Sequence, residues 1–183
     1  MESNKKYSLG IIVGRFQVLH LGHVDMINQA IELCDQVGIF IGSSQESGTL
    51  KNPFTYEKRK EMLEALFGDK VSVYPLPDIG VGNVPMWGDY VLKNVVDRFG
   101  KAPDLFVSGE ESRRASWLDD YPEIDEIFVP KTIDISATKM IQFLINDEES
   151  AWQKYIDPRL YSQYGELRDL AIKSQNNLET SSL

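Results

Sequence analysis

Short apolar runs alternate with helical patterns along most of the chain. The runs at residues 9–13, 37–41, 71–74, 105–107 and 127–129 are rich in Ile, Val, Leu and Phe and predict strands. Strands that are mostly apolar and are separated by helices are typical of a parallel sheet covered on both faces. Because crossovers between parallel strands are right-handed, the pattern predicts an α/β protein with a Rossmann-like, doubly wound, five-stranded parallel sheet and C-terminal helices.

Helical periodicity connects the strands. Val24, Ile27, Ile31 and Cys34 share one face of the first helical segment, so we expect Cys34 to be a buried and unreactive thiol. After residue 135 the pattern is helical only, and Ser136 is a candidate N-cap. Residues 1–183 are expected to form a single domain, with a core at about 8–135, a helical part at about 136–173 and a frayed polar tail at 174–183.

The balance of charge narrows the classes of function. The chain has 28 Asp and Glu against 19 Lys and Arg, a formal net charge of −9. This balance argues against a general binder of nucleic acid or of an anionic membrane, which needs a broad basic face, but it permits a local phosphate site. The single cysteine excludes an internal disulfide and a multi-cysteine zinc site. With no apolar run of membrane-spanning or signal-peptide length, we expect a soluble cytoplasmic protein.

The loop after the first predicted strand is where we expect a ligand, because ligands of such sheets bind at the carboxyl ends of strands. Both histidines of the protein, His20 and His23, lie there at a predicted helix start, three residues apart and on one face. Their rings can donate to phosphate oxygens beside free backbone N–H groups, Arg15 adds a forked donor, and Gly22 allows close approach. The pattern indicates a phosphate site. A surface capping pair and a zinc site with Asp25 are the alternatives.

A second anion site is predicted at residues 135–138, Ile-Ser-Ala-Thr, which follow the fifth strand and open a helix. The hydroxyls of Ser136 and Thr138 and the first backbone N–H groups can bind phosphate, although an ordinary N-cap explains Ser136 taken alone. Two helix N-termini that face one crevice suit a polyphosphate. The chain has neither a Walker A sequence nor a Gly-x-Gly-x-x-Gly turn, so neither of those phosphate-binding devices is used.

These motifs occur together in one known superfamily. Gly-Arg-Phe-Gln-x-x-His-x-Gly-His at residues 14–23, with Ile-Ser-x-Thr at residues 135–138, resembles the nucleotidylyltransferases of the His-x-Gly-His superfamily. The resemblance spans about residues 9–155 and is closest to the nicotinamide mononucleotide adenylyltransferases of the archaeal type. The further segments that resemble this family are residues 41–45, residues 52–55 with Arg59, residues 77–79 with Asn83 and Trp87, and residues 108–109.

The resemblance implies a role for each matching position. The implied catalytic residues are Arg15, His20, His23 and Lys51, of which the two histidines would hold the phosphates of ATP. The implied ATP-binding residues are Gly14, Phe16, Gln17, Gly22, Ser108, Ser136, Thr138 and Lys139. The implied acceptor-binding residues are Ser43, Asn52, Asp78, Asn83 and Trp87, with Trp87 stacked on the nicotinamide ring; packing in the core is the alternative for Trp87. No side chain is assigned to a metal ion.

The chain departs from the family pattern at three positions. Val18 stands where the family usually has Pro. Lys51 stands where the family often has Arg, so the positive charge remains but the paired N–H donors of a guanidinium are lost. Ile141 replaces an Arg that serves the phosphates in the family. Lys139 or the pair at residues 113–114 are the candidates to replace that cation.

The implied reaction is transfer of AMP from ATP, with Mg²⁺, to nicotinamide mononucleotide, giving NAD and pyrophosphate. Other acceptors, namely nicotinate mononucleotide, FMN or phosphopantetheine, remain alternatives, as does a nucleotide-sensing module without catalysis. A cytidylyltransferase is disfavoured, because residues 14–17 read Gly-Arg-Phe-Gln instead of Gly-Thr-Phe-Asp, and residues 131–134 read Lys-Thr-Ile-Asp instead of Arg-Thr-x-Gly. We expect ATP and a mononucleotide as partners, no nucleic acid and no membrane, and leave a homo-oligomer open.

Overall fold

The computed structural model describes residues 5–80, 85–109 and 116–181. Five parallel strands form one sheet in the order β3-β2-β1-β4-β5, so the predicted Rossmann-like fold is confirmed. The strands are β1 (Tyr7–Gly14), β2 (Cys34–Gly42), β3 (Ser72–Leu76), β4 (Leu105–Ser108) and β5 (Asp125–Phe128). The helices are α1 (Leu21–Leu33), α2 (Tyr56–Phe67), α3 (Pro85–Phe99), α4 (Ala137–Ile145), α5 (Glu149–Gln153) and α6 (Tyr164–Ser181).

Both faces of the sheet are buried, as the apolar runs require. Neighbouring residues of β1 alternate between two apolar clusters, Ile11 in one and Ile12 in the other. Ile27 of α1 and Met62 of α2 pack in the cluster of Ile12, whereas Val91 of α3 packs in the cluster of Ile11. Helices therefore cover both faces, and the parallel direction of the strands brings all their carboxyl ends to one edge of the sheet.

The helical pattern placed Cys34 in the first helix, and the structure corrects this prediction. The helix ends at Leu33, and Cys34 is already extended as the first residue of β2, paired with Tyr7. The ammonium group of Lys5 donates to the carbonyl oxygens of Ile31 at 2.7 Å and Cys34 at 3.1 Å, which stabilises the helix end with a positive charge. The thiol is buried and free, as predicted, and burial raises the pKa of Cys34 to about 11.

The predicted frayed tail at residues 174–183 is wrong as far as Ser181, where helix α6 ends. Ser174 is buried, and its hydroxyl donates to a backbone carbonyl one turn earlier at 2.8 Å. Leu167 and Ala171 lie on the same stripe and pack in the core. The polar composition of this segment concealed the stripe, because only a narrow side of the helix is buried.

An ion pair fastens helix α6 to the core. The buried ammonium of Lys58 in α2 contacts the carboxylate of Glu166 in α6 at 2.5 Å. Further along α6, the side-chain amide of Asn177 donates to the carbonyl of Gly48 at 3.1 Å, so the helix also supports the loop after β2. Within the described ranges, no helix has both the length and the apolar character needed to cross a membrane.

Candidate functional site

A cleft of about 840 Å³ opens at the carboxyl ends of the strands. The loops after β1, β2, β3, β4 and β5 contribute to its walls, together with the starts of α1, α3 and α4. This is the position where a doubly wound sheet binds ligands. The residues singled out from the sequence that line the cleft are Gly14, Arg15, Phe16, Gln17, His20, Gly22, His23, Ser43, Lys51, Asp78, Trp87, Ser108, Ser136 and Thr138.

The two histidines form a stacked pair at the start of α1. Their ring centroids are 3.8 Å apart with an interplanar angle of 21°, and the ring of Phe16 lies 5.0 Å from that of His23. Gly22 leaves room for this stack, since a Cβ there would lie 3.2 Å from ring atoms of His20 and would push the ring aside by a few tenths of an ångström. Phe16 itself has a φ of 48°, so the loop that presents the pair adopts a backbone conformation uncommon for a residue with a side chain.

Both imidazoles are neutral at pH 7. Burial is the main cause, and the charge of Lys131 the second, of a pKa of His20 lowered to about 4. Burial also lowers the pKa of His23 well below 6.5, with the neighbouring His20 as the second cause. The buried Nδ1 atoms of both rings have no hydrogen-bond partner among the described residues. Stacking, packing and a hydrogen bond between His23 and the backbone of Val18 hold the pair, and each neutral ring carries one N–H.

A buried guanidinium lies directly beneath the cleft. Arg59 is fully buried and donates to the carbonyl oxygens of Arg15 at 2.9 Å, Gly42 at 2.9 Å, Ser43 at 3.1 Å and Thr55 at 3.1 Å. Burial lowers the pKa of Arg59 to about 10, so the group remains charged at pH 7. Arg59 therefore joins the carboxyl ends of β1 and β2, and it fixes Ser43, whose φ of 47° lies in the left-handed region.

Gln17 joins the same two loops from the other side. The backbone N–H of Phe54 donates to Oε1 of Gln17 at 3.0 Å, and Nε2 of Gln17 donates to the carbonyl of Phe54 at 3.4 Å. Both ends of the amide are occupied, and the side chain is buried. Gln17 thus lines the cleft, but its polar atoms position the loop after β2.

One of the implied acceptor residues, Asn52, does not stand where the resemblance put it. Asn52 does not line the cleft: it is buried, its side-chain amide donates to the carboxylate of Glu46, and its backbone pairs with that of Thr49. It shapes the loop that carries Lys51 into the cleft. Asn83 lies outside the described residues, as does the pair at residues 113–114 that was a candidate to replace the missing cation.

The far end of the cleft combines a carboxylate with an aromatic ring. Asp78 is held by its backbone N–H, which donates to Oε1 of Gln45 at 3.0 Å. Trp87 is half-buried; its ring lies 5.4 Å from that of Tyr90 and packs against the core on one side while it lines the cleft. Trp87 can therefore pack against the core and still contact a ligand in the cleft.

Helix α4 begins at the opposite wall. Oγ of Ser136 accepts from the backbone N–H of Lys139 at 3.3 Å, so the predicted N-cap is confirmed. Thr138 and the buried, apolar Ile141 line the cleft. Lys139 does not: its ammonium lies 6.0 and 5.9 Å from two aromatic ring centroids of the C-terminal part.

Lys131 escaped the sequence motifs, and Arg59 was matched by them without being given a role in the site. Lys131 lines the cleft directly after β5, and Thr132 next to it donates to Oδ2 of Asp25 at 2.9 Å. The signal for Lys131 was its place after a strand of the sheet. The signal for Arg59 was a charged residue on the apolar stripe of α2, three residues before the buried Met62.

Comparisons with known proteins agree with this geometry. The cytidylyltransferase-like family matches residues 11–168. The nicotinamide-nucleotide adenylyltransferase of Saccharolobus solfataricus is 41% identical over 90 residues, which are 46% of this chain and 51% of that protein. That of Thermococcus sibiricus is 32% identical over 162 residues, which are 85% of this chain and 81% of that protein.

A solved structure is similar over nearly the whole chain. The bifunctional NMN adenylyltransferase/ADP ribose pyrophosphatase of Francisella tularensis has a TM-score of 0.79 and 28% identity, covering 94% of this chain and 54% of that one. A second structure of it, complexed with AMP and a Mn ion, has a TM-score of 0.75.

The fold, the paired histidines and the matched range define a nucleotidylyltransferase-like protein. The chain belongs to the cytidylyltransferase-like family, and its resemblance to nicotinamide mononucleotide adenylyltransferases is confirmed by relatives of that name. It spans about half the length of the curated relatives that it matches first.

Proposed function

We propose that the chain is an adenylyltransferase that transfers AMP from ATP to nicotinamide mononucleotide and releases NAD and pyrophosphate. One observation carries this proposal: the stacked pair of His20 and His23 at the start of α1 shares a cleft with Ser136 and Thr138 at the start of α4. Two helix N-termini and two neutral imidazole donors around one space suit a triphosphate. The relatives named above support the acceptor.

In this reaction, an oxygen of the mononucleotide phosphate forms a bond to the α-phosphorus of ATP. The bond from that phosphorus to the oxygen bridging to the β-phosphorus breaks, and pyrophosphate leaves with the electron pair. The attacking phosphate is ionised at neutral pH, so no general base is needed. The protein supplies alignment and hydrogen-bond donors where negative charge accumulates.

The chain's own residues divide this work. His20 and His23 donate to phosphate oxygens from fixed positions, because stacking and the close packing of Gly22 leave them little freedom. Arg15 and Lys51 bring formal positive charge from the loops after β1 and β2. Since the two imidazoles begin neutral, a bound phosphate anion favours their protonated forms and opposes the effect of burial on the pKa of each.

A divalent cation fits this cleft as an ion carried by the substrate. Among the residues that the structure describes, no group of three or more His, Cys, Asp or Glu side chains could hold a metal ion by itself. We propose that Mg²⁺ enters with ATP, with Asp25 on helix α1 as the carboxylate of the cleft that would hold it beside the phosphates. Such an ion would neutralise charge on the phosphates.

The far end of the cleft favours a nicotinamide over a nicotinate acceptor. Nicotinamide mononucleotide has a cationic pyridinium ring with a neutral amide, whereas nicotinate mononucleotide adds a carboxylate. The face of Trp87 attracts a cationic ring, and the carboxylate of Asp78 repels the extra negative charge. We therefore expect a preference for the amide that decreases in an Asp78→Asn variant.

The test is a turnover assay with ATP, Mg²⁺ and nicotinamide mononucleotide that follows NAD and pyrophosphate together, with nicotinate mononucleotide, FMN and phosphopantetheine in parallel. We expect equal amounts of NAD and pyrophosphate, and little product with the other acceptors. Binding of ATP without product from any acceptor would refute the proposed reaction. Product with an alternative acceptor alone would keep adenylyl transfer and refute the acceptor.

A further inference from the structure

The last turns of helix α6 reach the loop after β2, which carries Lys51 into the cleft. The side-chain amide of Asn177 donates to the carbonyl oxygen of Gly48 in this loop at 3.1 Å. We propose that Asn177 is a positioning residue for Lys51: it holds the turn that presents this cation to the phosphates of ATP. The role rests on the adenylyl transfer proposed above, and it makes the C-terminal helix a part of the active site.

Lys51 lies at the tip of a tight turn. The backbone N–H of Thr49 donates to the carbonyl of Asn52 at 3.2 Å, and the N–H of Asn52 donates to the carbonyl of Thr49 at 3.1 Å. This reciprocal pair leaves Leu50 and Lys51 as the two residues that reverse the chain. Both line the cleft and both are exposed, so the position of Lys51 depends on how the base of the turn is held.

The two sides of this turn are anchored differently. On one side, Asn52 is buried and its side-chain amide donates to the carboxylate of Glu46, which belongs to the same loop. On the other side, the residue before Thr49 is Gly48, whose φ of 69° is a conformation that glycine adopts without strain. The carbonyl of Gly48 accepts from Asn177. The bond from Asn177 therefore ties this side of the turn to another element of the fold.

The end of helix α6 is fixed at the rim of the cleft. Ala171 and Ser174 are buried, so the helix packs against the core to within one turn of Asn177. Gln175, two residues before Asn177, lines the cleft. Because packing already orders the helix, the bond from Asn177 orders the turn rather than the helix. These positions lie after residues 11–168, the range that the family matches, so the motifs gave them no role.

The experiment is a double-mutant cycle of Asn177→Ala and Lys51→Met, with Lys173→Ala as the matched control. Lys173 is exposed and lies one turn earlier on the same helix. Calorimetry measures ATP binding, the turnover assay measures kcat and KM for ATP, and thermal unfolding checks the fold. Ala favours a helix more strongly than Asn does, so an unwound helix end could not explain a loss in Asn177→Ala.

We expect Asn177→Ala to lower kcat/KM for ATP about three- to tenfold, with the unfolding temperature nearly unchanged. Lys51→Met should lower kcat/KM about tenfold or more. In the Lys51→Met background, Asn177→Ala should change kcat/KM less than about twofold, because the cation that it positions is absent. Lys173→Ala should change kcat/KM less than about twofold in both backgrounds. The affinity for ATP should follow the same pattern.

A second readout reports on the turn without any ligand. The backbone N–H groups of Thr49 and Asn52 are bonded across the turn, and their hydrogen exchange can be followed by NMR. Release of Gly48 should let the turn open more often. We therefore expect faster exchange of both N–H groups in Asn177→Ala and unchanged exchange in Lys173→Ala.

Equal losses from Asn177→Ala with and without Lys51 would overturn the proposal, because Asn177 would then act independently of this cation. Unchanged ATP binding and turnover in Lys51→Met would overturn it as well, and so would unchanged exchange in Asn177→Ala. The binding and exchange measurements need no turnover. If no NAD formed, the proposed reaction would fail while these two measurements still decided the role of Asn177.

Discussion

The wall of the cleft formed by the loops after β1 and β2 is cross-linked by two buried side chains, Arg59 and Gln17. In the opposite wall, the described bonds include those from Thr132 to Asp25 and from Val129 to Ser108, and the N-cap of Ser136. The first wall carries the stacked histidines in a fixed geometry, whereas the second offers hydroxyls and Lys131. We therefore propose that the first wall aligns the reacting phosphates and the second mainly binds the nucleotide, so damage to the two walls should affect different kinetic constants.

The largest effect is expected from His23→Ala in the first wall. Loss of a positioned donor to the reacting phosphates should lower kcat about 100- to 1,000-fold. The variant should stay folded, because both apolar clusters keep all their members and only the contact of Phe16 with the ring of His23 is lost. Steady-state turnover and circular dichroism on the same sample check both expectations.

Thr138→Ala in the second wall is the matched comparison for that variant. Removal of its hydroxyl should raise KM for ATP with a smaller change in kcat, because the contact exists before and during the reaction. Near-normal turnover of His23→Ala would refute the role of the pair. A larger fall in kcat for Thr138→Ala than for His23→Ala would reverse the assignment of the two walls.

The neutral histidines make stability depend on pH. The pKa of His20 falls from 6.5 in the unfolded chain to about 4 in the folded protein, so the unfolded chain binds the extra proton between these values. The free energy of unfolding should therefore decrease as the pH is lowered from about 6.5 to about 4, by roughly 3 kcal/mol for this residue. Urea unfolding at several pH values measures the slope.

His20→Asn should show a shallower slope in the same experiment, because it lacks this titrating group while every carboxylate of the chain is unchanged. Identical slopes for the variant and the parent protein would contradict the burial of a neutral imidazole. Since His23 titrates by the same mechanism, the variant should keep part of the dependence.

The sequence predicted the local parts of the site and missed those that depend on long-range contacts. His20, His23 and Ser136 belong to strand–loop–helix segments, whose geometry a few consecutive residues determine. Arg59 reaches a carbonyl 44 residues away, and Gln17 bonds to a residue 37 positions away, so no local pattern revealed their role.

Packing between distant segments explains the corrections at Ser174 and Lys139. Ser174 is buried because α6 packs against the core, although its own segment reads as polar. Lys139 was placed in the site by its position in a motif, but the direction of its side chain depends on the aromatic rings beside it. The burial of Ser174 and the direction of Lys139 depend on tertiary packing. The periodicity of one segment does not reveal which other segments pack against it.

The last comparison concerns the side chain that supports the first wall from below, and it separates positioning from stability. Arg59→Lys keeps the charge but cannot reach the carbonyls of β1 and β2 together, so kcat should fall about 10- to 100-fold with a smaller change in KM. Lys58→Met, the neighbouring buried cation, breaks the contact with Glu166 away from the cleft and should lower the unfolding temperature with kcat nearly unchanged. If turnover in both variants fell only in step with the unfolded fraction, Arg59 would be structural, and the rigidity of this wall would have no separate part in catalysis.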